Sequence, residues 1–154
     1  MTVRTIENVE ELRSLIGQEV GVSDWLSVTQ KMIDGFASVT LDDQWIHTDV
    51  ERARRESPWK ETVAHGYLTL ALAPALLPQI LEVQGYTRVV NSGIEKMRLS
   101  TPVLAGSRVR LRARIHHTRR LPQGGVRIVF RLVFEVEGAA KPACTADTVF
   151  VYFP

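Results

Sequence analysis

A chain of 154 residues is long enough to bury one core and short for two. Its 45% hydrophobic and 23% charged residues describe an ordinary globular protein, and a net charge of +2 is too small to draw it to nucleic acid. A lone cysteine, Cys144, excludes an internal disulfide and fits a reducing cytoplasm.

The opening residues 1–17 lack the apolar core of a signal peptide, which again predicts a cytoplasmic protein. Residues 8–16 read as a short amphipathic helix, with Asn8 as N-cap and Val9, Leu12 and Ile16 on one side. Residues 19–28 read as one strand. Thr29 then caps a second helix, in which Met32, Ile33, Phe36 and Ala37 recur at helical spacing. That helix is expected to run to about Val39 and to open into the polar loop LDDQWIHTD. Thr48 and Glu51 stand at capping-box spacing, so a short exposed helix is expected over 49–56. Ser57, Pro58, Trp59 and Lys60 end it.

Residues 62–81, TVAHGYLTLALAPALLPQIL, organise the rest. They are nearly uncharged, and apolar side chains fall all round the helical wheel, so the helix they form is expected to be buried. Pro74 and Pro78 interrupt the run, and the alternating chain around it argues for a core helix over a membrane span. A bend or end is expected near Pro74. Thr62 is placed to cap the first turn, and Gly66, without a side chain, leaves backbone N–H groups open to an oxyanion.

Beyond the helix the pattern changes to strands. Residues 88–99 are strand-like; residues 108–115 alternate, with Val109, Leu111, Ala113 and Ile115 on one face and four arginines on the other. Residues 126–136 alternate in the same way, and 145–153 are β-rich. Turn signals at 122–125 and 138–142 join antiparallel neighbours. The class is α+β: a curved antiparallel sheet wrapped around one long helix, in a single domain over 1–154.

The loop holding Asp42, Asp43, Gln44, Trp45, Ile46 and His47 puts carboxylates and an imidazole within reach of each other. A carboxylate and a neutral histidine can hold one water between them and move its protons. The plain alternative is a solvated surface loop, since an Asp and a His five residues apart are common. His65 reads as a structural residue at a helix start. His116 and His117 face opposite sides of a strand, which is wrong for a metal site.

Read together, FASVTLDDQWIHTD and VAHGYLTLAL resemble the MaoC-like dehydratases, the (R)-specific enoyl-CoA hydratases. That family's motif runs F-A-x-x-[ST]-x-D-x-N-P-x-H, followed by A-H-G at the start of the central helix. Phe36, Ala37, Thr40, Asp42 and His47 stand in the motif positions, and Ala64, His65 and Gly66 follow. Gln44 and Trp45 replace Asn-Pro, which is the pattern of a subgroup similar to nodulation protein N. VVNSGIEKMRLSTPVLAGSRVR is similar to that subgroup too, with Leu99 where its pattern has Phe, as is KPAC near the end.

The resemblance implies a hot-dog fold and hydration of a trans-2-enoyl-CoA to the (R)-3-hydroxyacyl-CoA, with no metal and no other cofactor. By position, Asp42 and His47 are the catalytic pair, and Gly66 gives its N–H to the thioester carbonyl. Gln44 and Trp45 are placed beside the substrate, Trp45 either walling an acyl tunnel or simply packing. The implied partners are an acyl-CoA substrate and a second copy of the chain, with neither nucleic acid nor membrane. A hot-dog thioesterase is the enzymatic alternative, but residues 67–81 hold none of the acid it usually places on the central helix. A non-catalytic acyl-CoA-binding module is the alternative of another class.

Overall fold

Strict alternation over the second half of the chain becomes a sheet with one apolar and one charged face. The computed structural model describes residues 3–154. In chain order the elements are β1 (Arg4–Ile6), α1 (Val9–Ser14), β2 (Glu19–Val22), β3 (Leu26–Ser27), α2 (Gln30–Thr40), α3 (Trp45–Thr48), α4 (Val50–Glu56), α5 (Gly66–Ala71), α6 (Ala73–Leu76), β4 (Leu81–Val83), β5 (Arg88–Leu99), β6 (Arg108–Arg120), β7 (Val126–Val136) and β8 (Cys144–Phe153). A 3-10 turn, Leu77–Gln79, follows α6.

The large sheet runs β2-β6-β7-β8-β5, with β3 also paired to β6, and every one of these pairings is antiparallel. Bulges interrupt the register of β5 on β8 and of β6 on β7, and such extra residues bend a strand. The inward face presents Val109, Leu111, Ala113 and Ile115 from β6, and Ile128, Phe130, Leu132 and Phe134 from β7. None of these is exposed. Leu68, Leu72, Leu76 and Leu77, from the helical run, join the same core.

That run is bent, as Pro74 predicts. The ladder breaks at Leu72, Pro74 lies in the first turn of α6, and the 3-10 turn carries Pro78. Two local expectations fail. The helix begins only at Gly66, so His65, not Thr62, holds the N-cap position, without a side-chain cap bond, and the Thr62 hydroxyl donates to Gln30 instead. Asp49, not Thr48, caps α4: its carboxylate accepts from Arg52 N, while the Thr48 hydroxyl donates to the carbonyls of Asp43 and Gln44.

Other differences follow from contacts distant in sequence. The strand expected over 19–28 divides into β2 and β3, and buried Ser23 between them exchanges bonds with Leu111. Part of the expected loop at 42–47 coils into α3. The pairing of β1 with β4, parallel and three residues long, has no periodic signal behind it. The helical run is apolar all round but not covered all round: Tyr67 is 69% exposed, and Ala71 and Pro74 stay open on the same side.

The outward face of the sheet is ion-paired. Arg108 pairs with Glu137, Arg110 and Arg112 with Glu135, and Arg112 also with Glu19. Arg110 lies over the Trp25 ring at 4.6 Å. On the neighbouring strands Arg131 holds the buried Asp147 carboxylate through two bonds of 2.8 and 2.7 Å. These bonds keep the Asp147 carboxyl below its ordinary range against the opposing effect of burial. A carboxyl depressed on folding stabilises the fold above its unfolded pKa and stops doing so as the pH falls through the folded value. Asp147→Asn should therefore lower the urea midpoint at pH 7, and the gap to wild type should close below about pH 4.

Candidate active site

The site assembles where three segments meet: the end of α2, the turn of α3, and the extended stretch before α5. Leu41 terminates α2 in the left-handed region at φ 61, which turns the chain so that Asp42 leaves the helix axis. The Asp42 side chain remains 44% exposed, and Gln44 Nε2 donates to its Oδ1 at 3.1 Å. Three residues beyond Gln44, α3 carries His47 inward, where it is 7% exposed.

His47 has a defined tautomer. Its Nδ1 lies 2.5 Å from the carbonyl oxygen of Val63. A carbonyl only accepts, so Nδ1 carries the proton and neutral His47 keeps its lone pair on Nε2. The main chain around it is pinned by Gln30, whose Nε2 donates to the His47 carbonyl at 2.7 Å. The Gln30 amide oxygen accepts from the hydroxyl of fully buried Thr62.

His65 is closer to this pair than its reading as a helix-start residue predicts. It is 4% exposed, and its ring stacks on His47 with centroids 3.8 Å apart and planes at 24°. Side-chain atoms of Asp42, His47 and His65 all lie within 4.8 Å of one another. These are ligand types for a cation, but imidazole lone pairs lie in the ring plane, and nearly parallel stacked planes do not converge on one ion. His116 and His117, exposed at the β6 bulge, join no such group among the described residues.

Gly66 begins α5, so its N–H has no acceptor within the helix, and it finds none elsewhere among the described residues. Leu99 lies over it: a Cβ at this position would come within 2.2 Å of Leu99 Cδ1. Trp45 packs under the Arg52 guanidinium at 4.4 Å. Asp43 is not part of this group; it lines a separate surface hollow with Leu41 and Thr48. Cys144 is no rival nucleophile, since burial pushes its thiol up to about 11.

Beside the site lies an apolar cavity of about 380 Å³ between the helical run and β5. Tyr67, Leu70, Pro74, Ile94 and Phe150 line it. Phe36 connects it to the site, since its ring also lies 5.0 Å from that of His65.

This arrangement of a carboxylate, a histidine and a free helix-start amide accompanies a family match. The MaoC like domain model matches residues 11–129. The chain belongs to the MaoC-like dehydratase family. The MaoC-like chain is 43% identical over 150 residues to 3-hydroxyacyl-thioester dehydratase Z of Mycobacterium tuberculosis, covering 97% of this chain and 99% of that protein. It is 36% identical to nodulation protein N of Rhizobium meliloti, covering 94% and 90%. Among solved structures it is similar to the unliganded R-hydratase PhaJ1 from Pseudomonas aeruginosa, with a TM-score of 0.66 and 24% identity over 90% of this chain and 81% of that one. The MaoC-like fold is therefore the hot-dog fold, and the family is one of hydro-lyases. Among the described residues no helix is long and apolar enough to cross a membrane.

Gln30, Thr62 and Val63 form the part of the MaoC-like site that the sequence pattern does not announce. Replacing Gln30 by Met would leave the Thr62 hydroxyl and the His47 carbonyl without their partner. An unsatisfied buried polar group costs about 1–3 kcal/mol. Gln30→Met should lower the urea-derived unfolding free energy by about that amount.

Proposed function

We propose that the chain is an (R)-specific enoyl-CoA hydratase, adding water across a trans-2-enoyl-CoA and running the reverse dehydration at the same site. The observation that carries this reading is the meeting of an accessible carboxylate, Asp42, with a histidine whose only free lone pair is on Nε2. Each can accept a hydrogen bond from one water molecule. The water oxygen attacks C3 of the enoyl thioester and the pair takes one of its protons. The C2–C3 π electrons shift toward the carbonyl, giving an enolate whose oxygen receives the Gly66 N–H. A proton from the pair to C2 completes the addition. Donors preorganised toward a developing oxyanion act in their final position, and losing one typically costs about 3 kcal/mol of barrier. Gln44 orients the Asp42 carboxylate within this scheme. The apolar cavity that begins at Phe36 has the character an acyl chain requires. The thioesterase alternative finds no support, since no acid lies between Gly66 and Gln79.

Asp42→Asn and His47→Gln should each lower kcat for crotonyl-CoA hydration by at least about 10²-fold, and the double variant by little more, because groups acting as a unit do not add. Asp43→Asn should keep most activity. Loss of enoyl absorbance reads the rate, and circular dichroism reads the fold. Activity retained in all three variants would move the chemistry to other residues, and a wild-type protein that binds acyl-CoA without hydrating it would leave an acyl-CoA-binding module in its place.

We further infer that two copies pair through β5. This strand is the edge of the large sheet, and Val89, Val90 and Ile94 on it are about half exposed at 52%, 48% and 50%. A long apolar edge left open invites aggregation, so it calls for a partner. The open helix face at Tyr67, Ala71 and Pro74 would be covered by the same contact. Sedimentation equilibrium at micromolar concentration should return twice the 17.3 kDa of one chain, and a monomer mass would sink the inference.

A further inference from the structure

We propose that His65 is a positioning residue for the Asp42–His47 pair, fixing the Asp42 main chain by a hydrogen bond from a ring seated between Phe36 and His47. The proposal rests on the hydratase reading, and three features of His65 point to it.

Firstly, His65 occupies the N-cap position of α5 but makes no side-chain cap bond. Residues favoured there are short side chains that turn back onto the first-turn N–H groups. The His65 ring turns inward instead, between Phe36 on one side, with centroids 5.0 Å apart, and His47 on the other, at 3.8 Å.

Secondly, its Nε2 lies 2.8 Å from the Asp42 carbonyl oxygen and 4.0 Å from Asp42 Oδ2. The carbonyl can only accept, so Nε2–H donates. No other donor reaches that carbonyl among the described residues, and the loop is otherwise exposed on either side of Asp42. The placement of the Asp42 main chain, from which the carboxylate projects, therefore depends on a bond that originates in His65.

Thirdly, the choice of histidine carries a cost. With the proton on Nε2, neutral His65 has a bare Nδ1, and that atom is buried without a protein partner. A phenylalanine would fill the same stacked slot with no unsatisfied atom. What phenylalanine cannot do is donate to the Asp42 carbonyl. The two ends of the stretch 63–65 thus act on the two catalytic side chains: Val63 sets the His47 tautomer, and His65 sets where Asp42 stands.

The test separates donor from ring. His65→Phe keeps an aromatic ring and removes the donor; His65→Gln keeps an N–H donor and removes the ring. In crotonyl-CoA hydration, His65→Phe should lower kcat by about tenfold or more, with KM within about twofold of wild type, as expected when a reacting group is misplaced while binding is intact. His65→Gln should recover most of that loss, to within about threefold of wild type. A wild-type kcat in His65→Phe, or a His65→Gln variant as slow as His65→Phe, would overturn the proposal. Imidazole ¹⁵N spectra of the unmodified, substrate-free protein give a readout independent of folding in the variants and of activity. They should show His65 protonated on Nε2 alone and His47 on Nδ1 alone, and a His65 proton on Nδ1 would overturn the assignment. Failure of the hydratase reading itself would appear separately, as a wild-type protein that does not hydrate crotonyl-CoA, with the imidazole spectra still reporting on the two tautomers.

Discussion

The structure depends on four residues of extended chain, 62–65, held on both sides just before the central helix begins. Val63 N–H donates to the Ile46 carbonyl and Ala64 N–H to the Val103 carbonyl, while the Thr62 carbonyl accepts from Ala105. The stretch is thus bonded to the loop 42–47 on one side and to the segment leading into β6 on the other. Because its backbone is fixed, its outward-directed groups are fixed as well. The Val63 carbonyl meets His47, the Thr62 hydroxyl meets Gln30, and the His65 ring lies between Phe36 and His47. An exposed loop such as 42–47 has little packing of its own to hold catalytic geometry, and here a rigid neighbour supplies it.

The strands were legible in the sequence because alternation leaves a mark on every second residue. Residues 88–99 match β5, and the four apolar residues named on β6 are all fully buried. The central run was legible from composition, and its bend from Pro74. Asp42, His47 and Gly66 stood out by residue type and place, and by motif position, since a loop carries no period. What stayed hidden depends on pairs far apart in sequence. Gln30 and Thr62 stand 32 residues apart, and Ser23 and Leu111 stand 88 apart. His65 looked structural because its place at a helix start has a structural explanation. Its partners, Asp42 and His47, are 23 and 18 residues away and become neighbours only when the segment 62–65 is laid against the loop. The Thr48 and Thr62 caps fail because the helices begin later than expected, at Val50 and Gly66, which leaves neither threonine at the N-cap position.

The exposed side of the molecule follows from a conflict between pattern and coverage. A helix apolar on every side should be surrounded, and the fold of one chain surrounds only the side bearing Leu68, Leu72 and Leu76. The other side and strand β5 form the two walls of the cavity beside the active site. A single surface therefore carries both the apolar cavity and the open sheet edge. Any partner seated on β5 would meet that cavity, since Ile94 of β5 lines it together with Tyr67 and Pro74.

Charge is distributed in a way that leaves the site free to act. On the outward sheet face Arg108, Arg110, Arg112 and Arg131 are all matched with carboxylates, and Asp147 is held below its ordinary range by this pairing. A carboxylate so held is a poor proton acceptor, because its arginine stabilises the ionised form and occupies its lone pairs. Asp42 has no Lys or Arg partner among the described residues. Its polar neighbours are the neutral amide of Gln44 and the imidazole of His65, which bonds to its carbonyl and stands 4.0 Å from its Oδ2. The same residue type thus stands in two settings in one fold: Asp147 is locked to an arginine across the sheet, whereas Asp42 is oriented by a neutral amide without a fixed countercharge.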